Sequence, residues 1–185
     1  QKNLLFTLFI SKGVPMMLMG DEIGRSQGGN NNTWCQNNPL GWMNWDDNEQ
    51  DLELLNYVKL LIKIRKKFIY LFNPSHINSE ELINYQWHGI KTNSPDWSSW
   101  SHTLAFSLNK CTNNEPLIWI ALNAYSKDIK FSPPKPSKNW LKIIDTFESS
   151  QLKPVIFNDK LLEVKSRSTV MLVANELLGN NNQID

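Results

Sequence analysis

The spacing of hydrophobic residues changes along this chain, and each change marks a new element. Residues 3–11 are almost wholly apolar (Leu4, Leu5, Phe6, Leu8, Phe9, Ile10) and are followed at once by Lys12 and Gly13. A helix with so few polar positions belongs in an interior, and Gly13 suits the left-handed position that ends one. Residues 14–19 (Val-Pro-Met-Met-Leu-Met) form an unbroken apolar run of strand length that stops at Gly20. A strand apolar on both faces predicts burial on both, as in a parallel sheet covered by helices. The parallel neighbours it calls for are expected outside this sequence. From 21 to 48 the chain turns polar and irregular, and a connection of that length is usually functional or disordered.

Helical spacing resumes over 51–68, with Leu54, Leu55, Val58, Leu61, Ile62 and Phe68 on one face. Asp46, Asp47 and Asn48 offer N-caps. Asp51 and Glu53 fall in the first turn and Arg65, Lys66 and Lys67 in the last, an order that complements the helix dipole. After Asn73-Pro74 the pattern shortens to alternating runs at 85–88, 103–108, 117–123, 140–147, 161–164 and 169–173. These predict an antiparallel sandwich, with the domain boundary at 73–80. The tail, 175–185, is expected to fray.

Composition narrows the function classes. The 185 residues are 41% hydrophobic and 20% charged, with a net charge of +1 and no clustered Lys/Arg stripe, so nucleic acid is not an expected partner. No apolar run approaches the roughly 20 residues needed to cross a bilayer, and the first residues carry no leader pattern. Cys35 and Cys111 lack CxxC spacing, which favours a reducing compartment, and His76, His88 and His102 make no metal-ligand pattern. Eight tryptophans are many for this length. Indoles stack on sugar rings, but they also fill cores, and core or domain-interface packing is the expectation for most, Trp42, Trp45, Trp87, Trp97 and Trp100 included.

Two segments carry candidate chemistry. Asp21 and Glu22 directly follow the apolar run, and ligands gather at the C-terminal ends of strands in parallel α/β architectures. Successive residues of an extended chain face opposite ways, so this pair alone cannot flank a scissile bond as a glycosidase requires. The duller alternative is a carboxylate that holds the loop, by hydrogen bonds or by an ion pair to Arg25. The run Gln27-Gly28-Gly29-Asn30-Asn31-Asn32-Thr33-Trp34 brings neutral amides and an aromatic face together, which suits an uncharged polyhydroxy ligand. Its alternative is a plain turn-rich loop.

The order of these segments resembles isoamylase-type glycogen debranching enzymes of the α-amylase superfamily. Residues 3–24 (NLLFTLFISKGVPMMLMGDEIG) look like that family's penultimate barrel helix and eighth barrel strand, and 24–37 (GRSQGGNNNTWCQN) look like the loop that follows. WMNWD at 42–46 and the next helix resemble the barrel's last segment; 85–106 and RSTVMLV at 167–173 resemble its C-terminal sandwich. The loop is the most specific part, and Trp34 stands where the family more often has tyrosine.

The resemblance implies a mixed α and β fold: residues 1–75 as the end of a (β/α)8 TIM barrel and 76–185 as an antiparallel β-sandwich. It implies hydrolysis of α-1,6 branch linkages of glycogen-like glucans with retention, by an Asp nucleophile, a Glu general acid/base and a second Asp. Those three belong on earlier barrel strands, upstream of residue 1, so none of them is expected here. Asp21, Glu22, Arg25, Asn30, Asn31, Asn32 and Trp34 are the expected cleft residues. Branched α-glucan is the expected partner, with no cofactor or metal, in the cytoplasm or in an organelle. The alternatives are a non-catalytic glucan-binding or assembly module and a truncated, inactive product.

Overall fold

The computed structural model describes residues 1–45, 49–72, 83–136, 138–148 and 154–178. Helix α1 (Lys2–Ile10) is followed by a long loop, then by α2 (Glu49–Lys67) and a short α3 (Ile69–Phe72). Eight strands come next: β1 (Ile83–His88), β2 (Thr103–Lys110), β3 (Pro116–Asn123), β4 (Ile129–Phe131), β5 (Trp140–Asp145), β6 (Val155–Phe157), β7 (Leu162–Val164) and β8 (Ser168–Ala174). Six of them form an antiparallel sheet in the order β1-β2-β3-β8-β5-β6, and β4 pairs with β7 in a second sheet.

The large sheet lies between two cores. One face, carrying Phe106, Leu108, Ile118, Ile120, Met171 and Val173, packs against Phe6, Phe9 and Ile10 of α1 and Tyr57, Leu61 and Ile64 of α2. The other, carrying Trp119, Ala121, Val170 and Leu172, packs on Phe131, Leu162 and Val164 of the small sheet. Coverage on both sides is why every residue of β8 is buried, where a half-exposed strand would alternate.

Several expectations need correction. Residues 14–19 form no strand: Val14 is 85% and Met16 83% exposed, and the segment joins neither sheet. Among the described residues, therefore, no β/α barrel unit is assembled. On α2, Leu54, Val58, Leu61 and Phe68 are buried as expected, but Ile62 is 38% exposed, because the buried face turns instead through Tyr57, Leu60, Ile64 and Arg65. The strand expected to reach 147 stops at Asp145, leaving Phe147 exposed. Gly13 is left-handed (φ 93°), though α1 already ends at Ile10, with Ser11 as its C-cap. In the tail, Asn175–Leu177 is a 3₁₀ turn with Leu178 buried, rather than a frayed end. The proposed caps at 46–48, the boundary at 73–80, His76 and residues 179–185 lie outside the described residues, as does the side chain of Asp51.

His88 is buried inside the sandwich with both ring nitrogens engaged. Its Nδ1 accepts the Asn93 backbone N–H at 2.9 Å, and its Nε2 lies 2.9 Å from Ser107 Oγ. Nδ1 therefore has no room for a proton unless the Asn93 contact breaks, and burial holds the imidazole below its ordinary range. The unfolded chain then binds more protons below about pH 6.5, so stability present above that range is lost as pH falls through it. We expect the melting temperature to drop between pH 7.5 and 5 by more in the parent than in His88→Gln, whose amide can serve both partners uncharged. Equal pH slopes in the two would contradict this.

Candidate functional site

The loop after residue 19 is held at its base by the residues singled out in the sequence. Gly20 takes φ 101°, and a Cβ there would come within 2.6 Å of Arg25 Cδ, so the turn depends on glycine. Asp21 and Glu22 start a 3₁₀ turn, Asp21–Ile23, rather than an extended chain. Asp21 Oδ2 accepts the Leu18 N–H at 3.1 Å and Glu22 Oε2 the Gly20 N–H at 2.9 Å. Both carboxylates thus hold the turn itself. Arg25 makes its contacts to carbonyls, donating from Nη2 to Gly41 O at 2.7 Å and from Nε to Trp42 O at 3.4 Å. It closes the loop across 16 positions.

The distal lobe is a chain of amide contacts. Asn30 Oδ1 accepts the Asn32 N–H at 2.9 Å, Asn32 Oδ1 the Trp34 N–H at 3.3 Å, and Asn38 Oδ1 the Leu40 N–H at 3.0 Å. Gln36 Oε1 gathers the amides of Asn30 (3.2 Å) and Asn38 (3.4 Å). Such side-chain-to-backbone closures are the usual work of asparagine in turns. The frame leaves Asn31 exposed and presents the Trp34 indole almost bare, at 92% exposure.

Trp34 does not stand alone. An open depression of about 430 Å³ is lined by Thr33, Trp34, Gln36, Asn37 and, returning from the far side of the loop, Gly41 and Trp42. The Trp42 indole N–H donates to Asn37 Oδ1 at 3.0 Å, which fixes its orientation. Two indoles and two amides around one shallow site can take an uncharged ring by stacking and hydrogen bonding. Asp21, Glu22 and Arg25 meet at the base of the loop, whereas Asn30, Asn31, Asn32 and Trp34 belong to the distal lobe. Trp42, Gln36 and Asn37 were missed as site residues, since nothing in their spacing shows that the chain doubles back beside Trp34.

For most of the tryptophans, burial in a core of this chain is not what the structure shows. Trp34, Trp42, Trp45, Trp87, Trp97 and Trp100 are all exposed in this chain, and only Trp119 and Trp140 are buried. Cys35 and Cys111 are both free and exposed. Among the described residues no helix is long and apolar enough to cross a membrane, and no group of His, Cys, Asp or Glu is placed to hold a metal ion.

A family profile described as the C-terminal region of isoamylases 1–3 matches residues 86–183. The chain is 35% identical over 146 residues to isoamylase 1, chloroplastic, of Oryza sativa subsp. japonica, a match covering 78% of this chain and 18% of the rice protein. To the glycogen debranching enzyme of Dickeya chrysanthemi it is 35% identical over 113 residues, 60% of this chain and 17% of that one. The fold resembles the crystal structure of pullulanase type I from Bacillus subtilis str. 168 complexed with maltose, with a TM-score of 0.68, 19% identity, and coverage of 93% of this chain and 22% of that one. The chain therefore spans about a fifth of the length of the proteins it matches.

Proposed function

The chain belongs to the isoamylase family of debranching glycosidases, and from that premise we propose that it is the closing end of the catalytic barrel, residues 1–75, and the C-terminal sandwich, 76–185, of an enzyme that hydrolyses α-1,6 branches of glycogen-like glucans. The observation that carries this reading is the loop between residues 20 and 45, which is held shut by Arg25 and offers Trp34 and Trp42 around one depression. The exposed apolar residues Val14, Met16, Leu18 and Met19, which lead into the loop, support it too. Such a run is stable in water only when something covers it, and a barrel strand is covered on both faces and both edges. In the complete enzyme the loop would leave the C-terminal end of that strand, the face where barrels of this class build their sites. The nucleophile and general acid are supplied by residues outside this chain. Asp21, Glu22, Arg25, Asn30 and Asn32 shape the cleft wall, and Asn31 and Trp34 meet the glucan. No cofactor or metal takes part, and the enzyme works in the cytoplasm or an organelle.

The test is Trp34→Ala and Asn31→Ala in the complete enzyme, assayed on branched glucan with thermal stability measured alongside. Losing a neutral hydrogen bond of about 0.5–1.5 kcal/mol lowers kcat/KM roughly 2- to 12-fold for Asn31→Ala, and loss of the stacked indole lowers it somewhat more. Both side chains are exposed, so melting temperatures should stay put. Unchanged kinetics in both variants would reduce the loop to a turn.

A further inference from the structure

The connection between β1 and β2, residues 89–102, is held along its length by hydrogen bonds. Its first half is tied down by the Asn93 N–H on His88 Nδ1 at 2.9 Å, by Thr92 Oγ1 donating to Ser132 O at 2.6 Å, and by the Ser132 N–H on Ile90 O at 2.8 Å. Lys91 and Ser94 bridge across it, and a Cβ on Gly89 would overlap the Ser94 carbonyl oxygen. Its second half is two consecutive turns. Asp96 Oδ1 accepts the Ser98 N–H at 3.1 Å, and the Ser101 N–H donates to Ser98 O at 3.0 Å.

This frame leaves two indoles uncovered in this chain: Trp97 is 64% exposed and Trp100 76%. Trp97 meets Trp87 edge to face, with ring centroids 5.6 Å apart, so its orientation is fixed as well. Exposed aromatics on a prepaid scaffold bind with little loss of conformational freedom. Their surroundings indicate the ligand. From Asn93 to Ser101 the loop is Asn, Ser, Pro, Asp, Trp, Ser, Ser, Trp, Ser, with no aliphatic side chain and one charge. Protein interfaces are depleted in serine and aspartate, whereas hydroxyls and an amide between indoles match an uncharged polyhydroxy chain. The loop belongs to the sandwich, separate in sequence from the loop of Trp34 and Trp42.

We propose that Trp97 and Trp100, with Trp87 behind them, form a second glucan-binding platform, one that holds a linear α-glucan segment of the polymer away from the bond being cleaved. The proposal rests on the debranching reading of the family given above. A platform of this kind raises the local concentration of polymer at the enzyme and leaves small substrates unaffected.

The experiment compares the complete enzyme with its Trp97→Ala/Trp100→Ala and Trp97→Tyr/Trp100→Tyr double variants. Affinity for glycogen particles is measured by co-sedimentation, kcat/KM on a short branched maltooligosaccharide by release of reducing ends, and the melting temperature is recorded. The alanine pair should bind glycogen about tenfold more weakly, the tyrosine pair should recover most of that loss, and oligosaccharide kinetics and melting should match the parent in both. Glycogen affinity unchanged in the alanine pair overturns the platform. So does a fall in melting temperature shared by both variants with affinity intact, which would make the indoles a protein contact. A parent that cleaves the oligosaccharide keeps the debranching reading whichever way the platform falls; a parent that neither binds nor cleaves glucan ends both.

Discussion

Replacing Arg65 with alanine should lower the melting temperature by roughly 6–12 °C, the shift that about 3 kcal/mol makes in a chain of this size. Arg65 is buried on α2 and reaches back to the end of α1, where Nη1 donates to Phe9 O at 2.7 Å and to Ser11 O at 2.5 Å, and Nη2 donates to Gly13 O. A helix ends with carbonyls that have no partner inside it, and α1 carries no basic residue in its own last turn to serve them. One guanidinium from another helix supplies what the local sequence lacks, and its far side lies over the Phe72 ring, 5.4 Å from the centroid. Alanine would strand at least one buried carbonyl and lose charge-assisted bonds to the others. Arg65→Lys keeps the charge but has no planar fork to span several carbonyls, so it should recover only part of the loss. Because α1 leads directly into residues 14–19 and the loop, the same variant in the complete enzyme should also lower activity on glucan. A melting shift under about 2 °C for Arg65→Ala, less than 1 kcal/mol at this size, would contradict this account of the α1–α2 joint.

What the sequence reveals follows from the range of the forces involved. The helices α1 and α2 and six of the strands were legible from their apolar runs, at helical spacing for Leu54, Val58 and Leu61 and as short continuous runs for the doubly covered β3 and β8. The three-residue strands β4 and β6 were not, while β7, equally short, was found only within the run 161–164. Residues 14–19 are the instructive mismatch. Their apolar run predicts cover on both faces, and in this chain Val14 and Met16 meet water instead. Ile62 was misassigned because a helical face defined by apolar residues alone leaves out Arg65, whose buried guanidinium rotates the true face. At the candidate site the local turn chemistry of Asn30, Asn32 and Asn38 could be foreseen from residue type. The closure by Arg25 and the approach of Trp42 to Trp34 are contacts across the loop, and no local rule reports them.

The most direct test of the central claim compares this 185-residue chain with the same chain joined to the rest of the proposed barrel. A retaining glycosidase places two carboxyl groups about 5–5.5 Å apart across the bond, one as nucleophile and one as general acid. Asp21 and Glu22, the carboxylates at the base of the candidate loop, are instead neighbours in one tight turn, each accepting a backbone N–H of that turn. Among the described residues, most carboxylates of the sandwich pair with lysines, as Glu115 and Glu176 do with Lys110, and Asp128 and Glu163 with Lys165. The measurement is the release of reducing ends from glycogen and pullulan at equal protein concentration. The account predicts hydrolysis by the longer protein and none above blank by the 185-residue chain. Turnover by the short chain that co-purifies with it and vanishes in Asp21→Asn or Glu22→Gln would contradict the account.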